Sequence, residues 1–312
     1  MSVASSDSKL RELPILFVVF NRPEETRRVW ERIKRFQPRT LFVAGDGPRA
    51  NSLEDQLLCA EVRALCEDVD WECDVKFLWR EENIGVEWGV KEAIDWCFQY
   101  VDRLAILEDD CLPSSSFFMF CDDMLTRFET DENVMLVSGF NAAGSWKHKQ
   151  FDYFFAHTGG IWGWATWRRA WDHYSHDMPG LEMQIASRFF RKTLGRHLGK
   201  VREQQFMDTK EGRVSTWGYR WAHARHVAGG VAVVPTVSLI ENIGFSETAT
   251  HTKKDPNYGR ISAQELTFPL RPSPRNLPDM RYDRIFFPSR TRRLTRKLRY
   301  LIQSFLTPAL KK

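Results

Sequence analysis

Residues 104–110 read Leu104-Ala-Ile-Leu-Glu-Asp-Asp110. An apolar run with no polar alternation is what a parallel strand buried on both faces looks like. Here it passes directly into three acids, which repel one another. In an open parallel sheet, ligands bind at the carboxyl ends of the strands. Carboxylates clustered there suit Mg²⁺ or Mn²⁺, with a diphosphate supplying further oxygen ligands. The competing reading is a solvated loop whose acids and Ser114–Ser116 cap the next helix.

Working outward from this stretch, strands and helical segments alternate. Pro14-Ile-Leu-Phe-Val-Val-Phe20 reads as a first buried strand, and Pro23 opens a helix marked by Val29, Ile33 and Phe36. Leu41–Ala44 is a second strand, closed by the turn Gly45-Asp46-Gly47-Pro48. A helix around Leu57–Leu65, a strand at Val75–Leu78 and a helix over Gly85–Tyr100 follow. Beyond the acids come a helix at Phe117–Phe128 and a strand at Val134–Val137. This alternation predicts an α/β fold with a Rossmann-type, doubly wound, mostly parallel sheet.

The second half has a different character. Trp146, Trp162, Trp164, Trp167 and Trp171 crowd together, and Trp217 and Trp221 come later. Arg188–Lys200 reads as a basic helical stretch, and Val231–Pro235 and Val237–Ile240 as short strands. The proline-rich residues 255–290 read as a segment wrapping the surface. Residues 281–312 hold ten basic residues and one acid, in a chain whose formal charge is only +4. A mildly acidic body with a basic tail does not resemble a nucleic-acid-binding domain. Within the tail, Leu294, Leu298, Leu301, Ile302 and Phe305 share one helical face, with arginines elsewhere. That pattern predicts a basic amphipathic helix, either docked on the body or lying on an anionic membrane surface.

Composition narrows the class. At 43% hydrophobic and 28% charged, the chain is neither disordered nor collagen-like. The first eight residues are polar, without the apolar core of a secretory signal, and no apolar run has bilayer-spanning length. The six cysteines form no Cys-x-x-Cys pair, so they read as reduced thiols of a cytoplasmic protein. Taken alone, Asp46 is a turn residue, Arg22 in Asn21-Arg22-Pro23 a phosphate contact or a surface charge, and Lys91 equally ambiguous. His173-x-x-His176-Asp177 has one-face helical spacing but lacks a third ligand placed with it.

In order, these pieces carry a resemblance. Phe17-Val-Val-Phe-Asn-Arg-Pro-Glu24, the Asp46-Gly47 turn, Glu82-Asn-Ile-Gly85 before a helix and Ile106-Leu-Glu-Asp-Asp110 resemble a GT-A glycosyltransferase. The likeness is to family 2 enzymes and to the N-acetylglucosaminyltransferase I type. Gly159-Gly-Ile-Trp-Gly-Trp164 is similar to that family's acceptor side, and Pro235–Phe245 followed by His251 to its C-terminal strand and closing loop. Residues 14–252 are covered.

The resemblance implies a nucleotide-sugar-binding half over 14–140 and an acceptor-binding half over 141–252 of one domain. A wrapping segment over 253–289 and the basic tail over 290–312 complete the division. It implies transfer of a sugar from a nucleotide-diphosphate donor, expected to be a UDP-sugar, to a glycan or lipid-linked acceptor. Asp46 would contact the nucleobase, and Arg22 and Lys91 would lie near the nucleotide. In the family's variant of the DxD motif the last acid holds Mn²⁺ or Mg²⁺, here Asp110. Asp109 and Glu108 would contact metal-bound water, the ribose or the donor sugar. His251 would complete the metal or diphosphate contacts, and Trp162 and Trp164 would stack the acceptor.

One departure stands out. The stretch Ser215-Thr-Trp-Gly-Tyr-Arg-Trp221 carries no acid where related enzymes place the catalytic base. Asp208, Glu211 and Glu241 lie nearby in sequence without matching it. Two rival functions remain at this point. A sugar-nucleotide pyrophosphorylase would want a Gly-rich phosphate loop where Asn21-Arg-Pro-Glu-Glu25 stands. A non-catalytic sugar-binding or membrane-associated scaffold protein would account for the missing base. The expected location is the cytoplasm, with the tail on the inner membrane face.

Overall fold

Buried apolar strands set the frame. β1 (Ile15–Val19), β2 (Thr40–Gly45) and β4 (Arg103–Glu108) consist almost wholly of buried residues. β3 (Asp74–Trp79) is half-exposed at the sheet edge. The structure is a computed structural model and describes residues 12–146, 150–244, 261–274 and 277–286. Its main sheet has eight strands in the order β3-β2-β1-β4-β8-β6-β9-β7. The others are β6 (Val134–Ser138), β7 (Tyr153–Ala156), β8 (Trp164–Trp167) and β9 (Val231–Pro235). β8 runs antiparallel to β4 and β6, and β7 antiparallel to β9; the other pairings are parallel. The expected mostly parallel α/β sheet is therefore present, and it continues across residue 140 without a break.

Helices join the first strands as crossovers. α1 (Pro23–Phe36) starts with Pro23 in its first turn and buries Val29, Trp30 and Ile33. Each such burial is worth about 1.5–3 kcal/mol. Its last residue, Phe36, stacks on Phe118 of α4 (Ser115–Arg127) with ring centres 4.3 Å apart. α2 (Leu53–Glu67) is capped by Ser52, whose hydroxyl accepts from the Asp55 amide. α3 (Gly85–Cys97) buries Val90, Ala93, Ile94 and Cys97.

The chain order outward from β1 is the feature that matters for function. β1, β2 and β3 step towards one edge, and the chain then returns to place β4 on the other side of β1. The connections therefore reverse direction between β1 and β4, which opens a crevice at the carboxyl ends of these two strands.

The Trp-rich half is a core. Trp164 of β8 is 0% exposed. Its ring stacks on Trp217 of α9 (Trp217–Val227) at 5.5 Å and 22°. It also packs against Trp171 of α5 (Arg168–Trp171) and against Trp221, each at 6.2 Å. This corrects the expected acceptor role of Trp164, whose ring meets other tryptophans on the sheet interior. Trp162, two residues earlier, is half-buried against Phe140 at 4.7 Å.

Several boundaries differ from the sequence reading. The basic stretch at 188–200 is two helices, α7 (Phe189–Thr193) and α8 (Arg196–Lys210), parted by Gly195 at φ +79°. A short α6 (Leu181–Ala186) precedes them. The strand expected over 237–240 is β10 (Ile240–Asn242), because the Ser238 hydroxyl turns the chain by donating to the Ile240 carbonyl. β10 pairs antiparallel with β5 (Cys111–Pro113), immediately after the acids. Within the expected wrapping segment, Glu265 accepts from the Ser115 and Ser116 amides at the start of α4. α10 (Met280–Phe286) then packs its Tyr282 ring against Phe154 of β7. The basic tail lies outside the described residues. Among the described residues no helix is long and apolar enough to cross a membrane.

Trp164→Ala is expected to destabilise the protein by about 3–5 kcal/mol, as large-to-small changes in a packed core do. Urea unfolding measures this. A loss below about 1 kcal/mol would return the ring to a peripheral, ligand-facing role.

Candidate functional site

β4 delivers Glu108, Asp109 and Asp110 to the β1–β4 crevice, and β1 delivers Arg22 to the same place. β1 and β4 are in parallel register, Val18 beside Glu108, so both chains leave the sheet at one level. Pro23 starts α1 two residues after Asn21, which fixes Arg22 at the helix N-cap. Nη1 of Arg22 donates to Oδ2 of Asp110 at 3.0 Å and lies 3.4 Å from Oδ1 of Asp109. Burial and the neighbouring carboxylates raise the affinities of Glu108 and Asp109 for protons, and Arg22 opposes this. Among the described residues the arrangement is a repelling acid cluster held by the Arg22 guanidinium.

Asp110 is also enclosed from the C-terminal side. The Ile243 amide donates to the Asp110 carbonyl at 2.8 Å. A β-carbon added at Gly244 would sit 2.4 Å from Oδ2 of Asp110, so only glycine lets the backbone pass this close. The Gly244 amide is meanwhile held by Oδ1 of Asn242 at 2.9 Å. His251, expected as a metal or diphosphate contact, lies outside the described residues.

The donor set bears on the metal question. Among the described residues no three His, Cys, Asp or Glu side chains converge as a ligand group. A cage built only from protein is therefore not formed by them. One or two carboxylates completed by substrate phosphates is the usual binding mode of Mg²⁺, and Asp110 with Asp109 fits that mode.

Asp46 sits across the crevice at the end of β2 and is engaged on both oxygens. Oδ1 accepts from the amides of Gly47 and Ile84 at 3.0 and 3.1 Å. Oδ2 accepts from the Asn83 side chain and the Gly85 amide at 3.0 and 2.9 Å. The carboxylate thus caps the start of α3, where helix amides and dipole favour an anion. It ties the Asn83-Ile84-Gly85 turn to the end of β2.

Behind it lies a cluster that the sequence reading missed. Asp55, 2% exposed, accepts from Nε of Arg49 at 2.5 Å, from Nη2 of Arg49 at 2.8 Å and from the Asn21 amide group at 2.7 Å. These bonds hold its pKa down at about 2. The Arg49 guanidinium also lies over the Phe20 ring at 5.6 Å. Asn21 and Phe20 directly follow β1, so this network fixes the lip on which Arg22 stands. Asn21, immediately after a buried strand, was the available signal.

Lys91 is placed elsewhere. Its amine pairs with Asp95 one turn on at 2.6 Å and lies 5.9 Å from the Trp88 ring. No contact among the described residues joins it to the acid cluster. The same helix contributes Glu87, which sequence reasoning did not single out. Glu87 is buried and accepts from Nε of Arg220 at 2.5 Å and from the Ser215 hydroxyl at 2.5 Å. His176 lies 3.1 Å from the same carboxylate, and its ring stacks on Trp88 at 4.2 Å. Burial opposes the charge on Glu87, but Ser215 and Arg220 outweigh it and keep the carboxyl below its ordinary range. Of the histidines 173 and 176, His176 thus supplies a polar tie to α3.

The three acids weighed as a base are now separable. Asp208 and Glu211 sit at the end of α8 and pair with Arg213. Glu241 lies on β10, opposite Leu112 and two residues from Ile243, which bonds to Asp110.

No protein-family model matches the chain, and no curated protein sequence matches it. Among solved structures, one similar chain is a cytidylyltransferase from Leptospira borgpetersenii serovar Hardjo-bovis (strain JB197). It is 12% identical over 56% of this chain and 73% of its own length, with a TM-score of 0.31. Superposition at that level carries no argument about the site.

Asp55 provides a pH test of the lip. Its folded pKa, about 2, is below the ordinary value of 3.8. The stabilisation it provides is therefore complete above about pH 4 and lost as pH falls through about 2. Asp55→Asn is expected to be less stable than the parent at pH 7, with the gap closing over that window. Urea unfolding at several pH values reads this; a gap independent of pH would contradict the Arg49–Asp55 pair.

Proposed function

We propose that this protein is a glycosyltransferase that moves a sugar from a UDP-sugar to a glycan or lipid-linked acceptor, with Mn²⁺ or Mg²⁺ as cofactor. The observation that carries the reading is the meeting of Arg22 with Asp109 and Asp110 at the β1–β4 reversal. A positive group and a carboxylate cluster there match the two needs of a metal-bound diphosphate. Asp110 would hold the metal, with Asp109 and Glu108 contacting its water, the ribose or the donor sugar. The cation would offset charge developing on the departing nucleotide. Arg22 would exchange Asp110 for a phosphate oxygen, a contact for which guanidinium is well suited.

On the other lip, Asp46 and the 83–85 turn would face the nucleobase. With Asp46 already accepting four hydrogen bonds, the turn it shapes is the recognition element. Trp162 is the remaining acceptor-side aromatic of the two expected. For the acceptor's proton we assign Glu241, since among the three weighed acids it adjoins Asp110 through β10 and is not tied to Arg213. The pyrophosphorylase reading is weaker, because the turn after β1 presents Arg22 to the acids in place of a glycine-rich phosphate loop. The tail's placement on an anionic membrane stays part of the proposal.

Calorimetric titration of UDP tests the donor site. Binding is expected with Mn²⁺, and is expected to be lost with EDTA and in Asp110→Ala. Silence of UDP and of other nucleotides would overturn the reading. Glu241→Gln is expected to keep UDP binding and lower sugar transfer by at least about 100-fold, the usual scale for a lost general base. Unchanged transfer in that variant would remove Glu241 from the role. Metal-dependent UDP binding with neither transfer nor donor hydrolysis would favour a non-catalytic binding protein.

A further inference from the structure

The helical hairpin α7–α8 carries a second concentration of charge, on the surface. Residues 188–200 hold Arg188, Arg191, Lys192, Arg196 and Lys200 and no acid. The inner side of the hairpin is neutralised. Gly199 lets the two helices touch, since a β-carbon there would lie 2.5 Å from the Cα of Arg191. At this contact Arg191 pairs with the buried Glu203 at 2.5 Å. The flanking acid on the other side, Glu182 of α6, is taken by Lys210 at 2.8 Å.

The outer side has no such compensation. Arg188 and Lys192 lie one helical turn apart, as do Arg196 and Lys200, so each pair shares a helix face. All four are exposed, and among the described residues none has a carboxylate partner. Gly195 offers no side chain to cap the first turn of α8. The positive end of that helix therefore adds to the same region. Like charges gathered this way repel one another and bring the fold no stability.

The surroundings indicate what the charge is for. The four cations stand on the outside of two helices, which suits an extended anionic surface better than a single small anion. Apolar side chains are exposed beside them. A β-carbon at Gly195 would come 3.2 Å from Cε of Met280, so the α7–α8 turn touches the start of α10. Met280 is 41% exposed, and Leu277, just before it, is 70% exposed. Cations flanked by exposed apolar groups are the pattern that binds the interface of an anionic bilayer. α10 is also the element from which the chain continues into its basic tail.

We propose that the outer face of α7–α8 is a docking surface for an anionic lipid membrane, with Met280 and Leu277 meeting the headgroup layer beside it. This extends the membrane placement proposed for the tail to the folded body. The contact belongs to the hairpin itself, so it stands or falls separately from the tail.

Vesicle flotation of the full chain tests this. The vesicles are phosphatidylcholine alone, or phosphatidylcholine and phosphatidylglycerol in equal parts. Binding is expected only with the anionic vesicles, and is expected to weaken as salt is raised, because the attraction is screened. Each cation near such a surface contributes about fivefold to partitioning. The variant Arg188→Gln/Lys192→Gln/Arg196→Gln/Lys200→Gln, with its tail intact, is therefore expected to bind at least about 100-fold more weakly. Arg28→Gln/Arg35→Gln removes exposed charge from α1 and is expected to bind like the parent. An equal loss per charge in that control would show an effect of net charge alone and overturn the proposal. A four-site variant that keeps the parent's affinity would overturn it and leave the tail's placement standing. A parent chain that ignores both kinds of vesicle would overturn both. Duplex DNA binding that the four substitutions abolish while vesicle binding persists would reassign the patch to nucleic acid.

Discussion

The contact between Arg22 and the Asp109–Asp110 pair holds the crevice together. Three consecutive acids at the end of a buried strand repel each other, and burial deepens the cost. The fold answers with one guanidinium at the start of α1, whose own position is fixed by Pro23 and by the Asn21–Asp55–Arg49 network. A cluster that is expensive to assemble and that, among the described residues, is offset by Arg22 is more readily explained by chemistry than by stability. The sheet reversal between β1 and β4 is what allows two such strand ends to meet.

The second half contributes rigidity. Trp164, Trp171, Trp217 and Trp221 form one aromatic block under β8 and α9. From this block Arg220 and Ser215 reach back to Glu87 on α3, the helix whose first amides bind Asp46. The lip opposite the acids is therefore braced by a chain of buried polar contacts running into the Trp-rich core. β10 closes the third side by bringing Ile243 and Gly244 against Asp110. Each side of the crevice is thus built from a different stretch of sequence.

Much of the first half was legible because its periodicities are strong. Apolar runs at 15–19, 41–44 and 104–107 became strands, and Pro23 and Gly85 marked helix starts, because local preference and burial agree there. The acids were legible as a candidate site because three adjacent carboxylates directly after a buried strand repel one another. The second half was harder to read for a physical reason. Tyr153-Phe-Phe-Ala156 and Trp164-Ala-Thr-Trp167 are strands of four residues, too short for a period to show. Tryptophan serves equally as core or as sugar platform, and only burial separates the two; Trp164 belongs to the core. The Glu87–Arg220 tie and the Gly244–Asp110 contact join residues more than a hundred positions apart, which no local pattern can reveal.

A crystal structure grown with UDP and Mn²⁺ tests the central claim most directly, using the anomalous signal of manganese. The account predicts a peak at the carboxylate of Asp110, with Arg22 released from Asp110 and turned to a phosphate oxygen. An intact Arg22–Asp110 pair with no manganese beside it, in crystals where UDP is bound elsewhere, would contradict it.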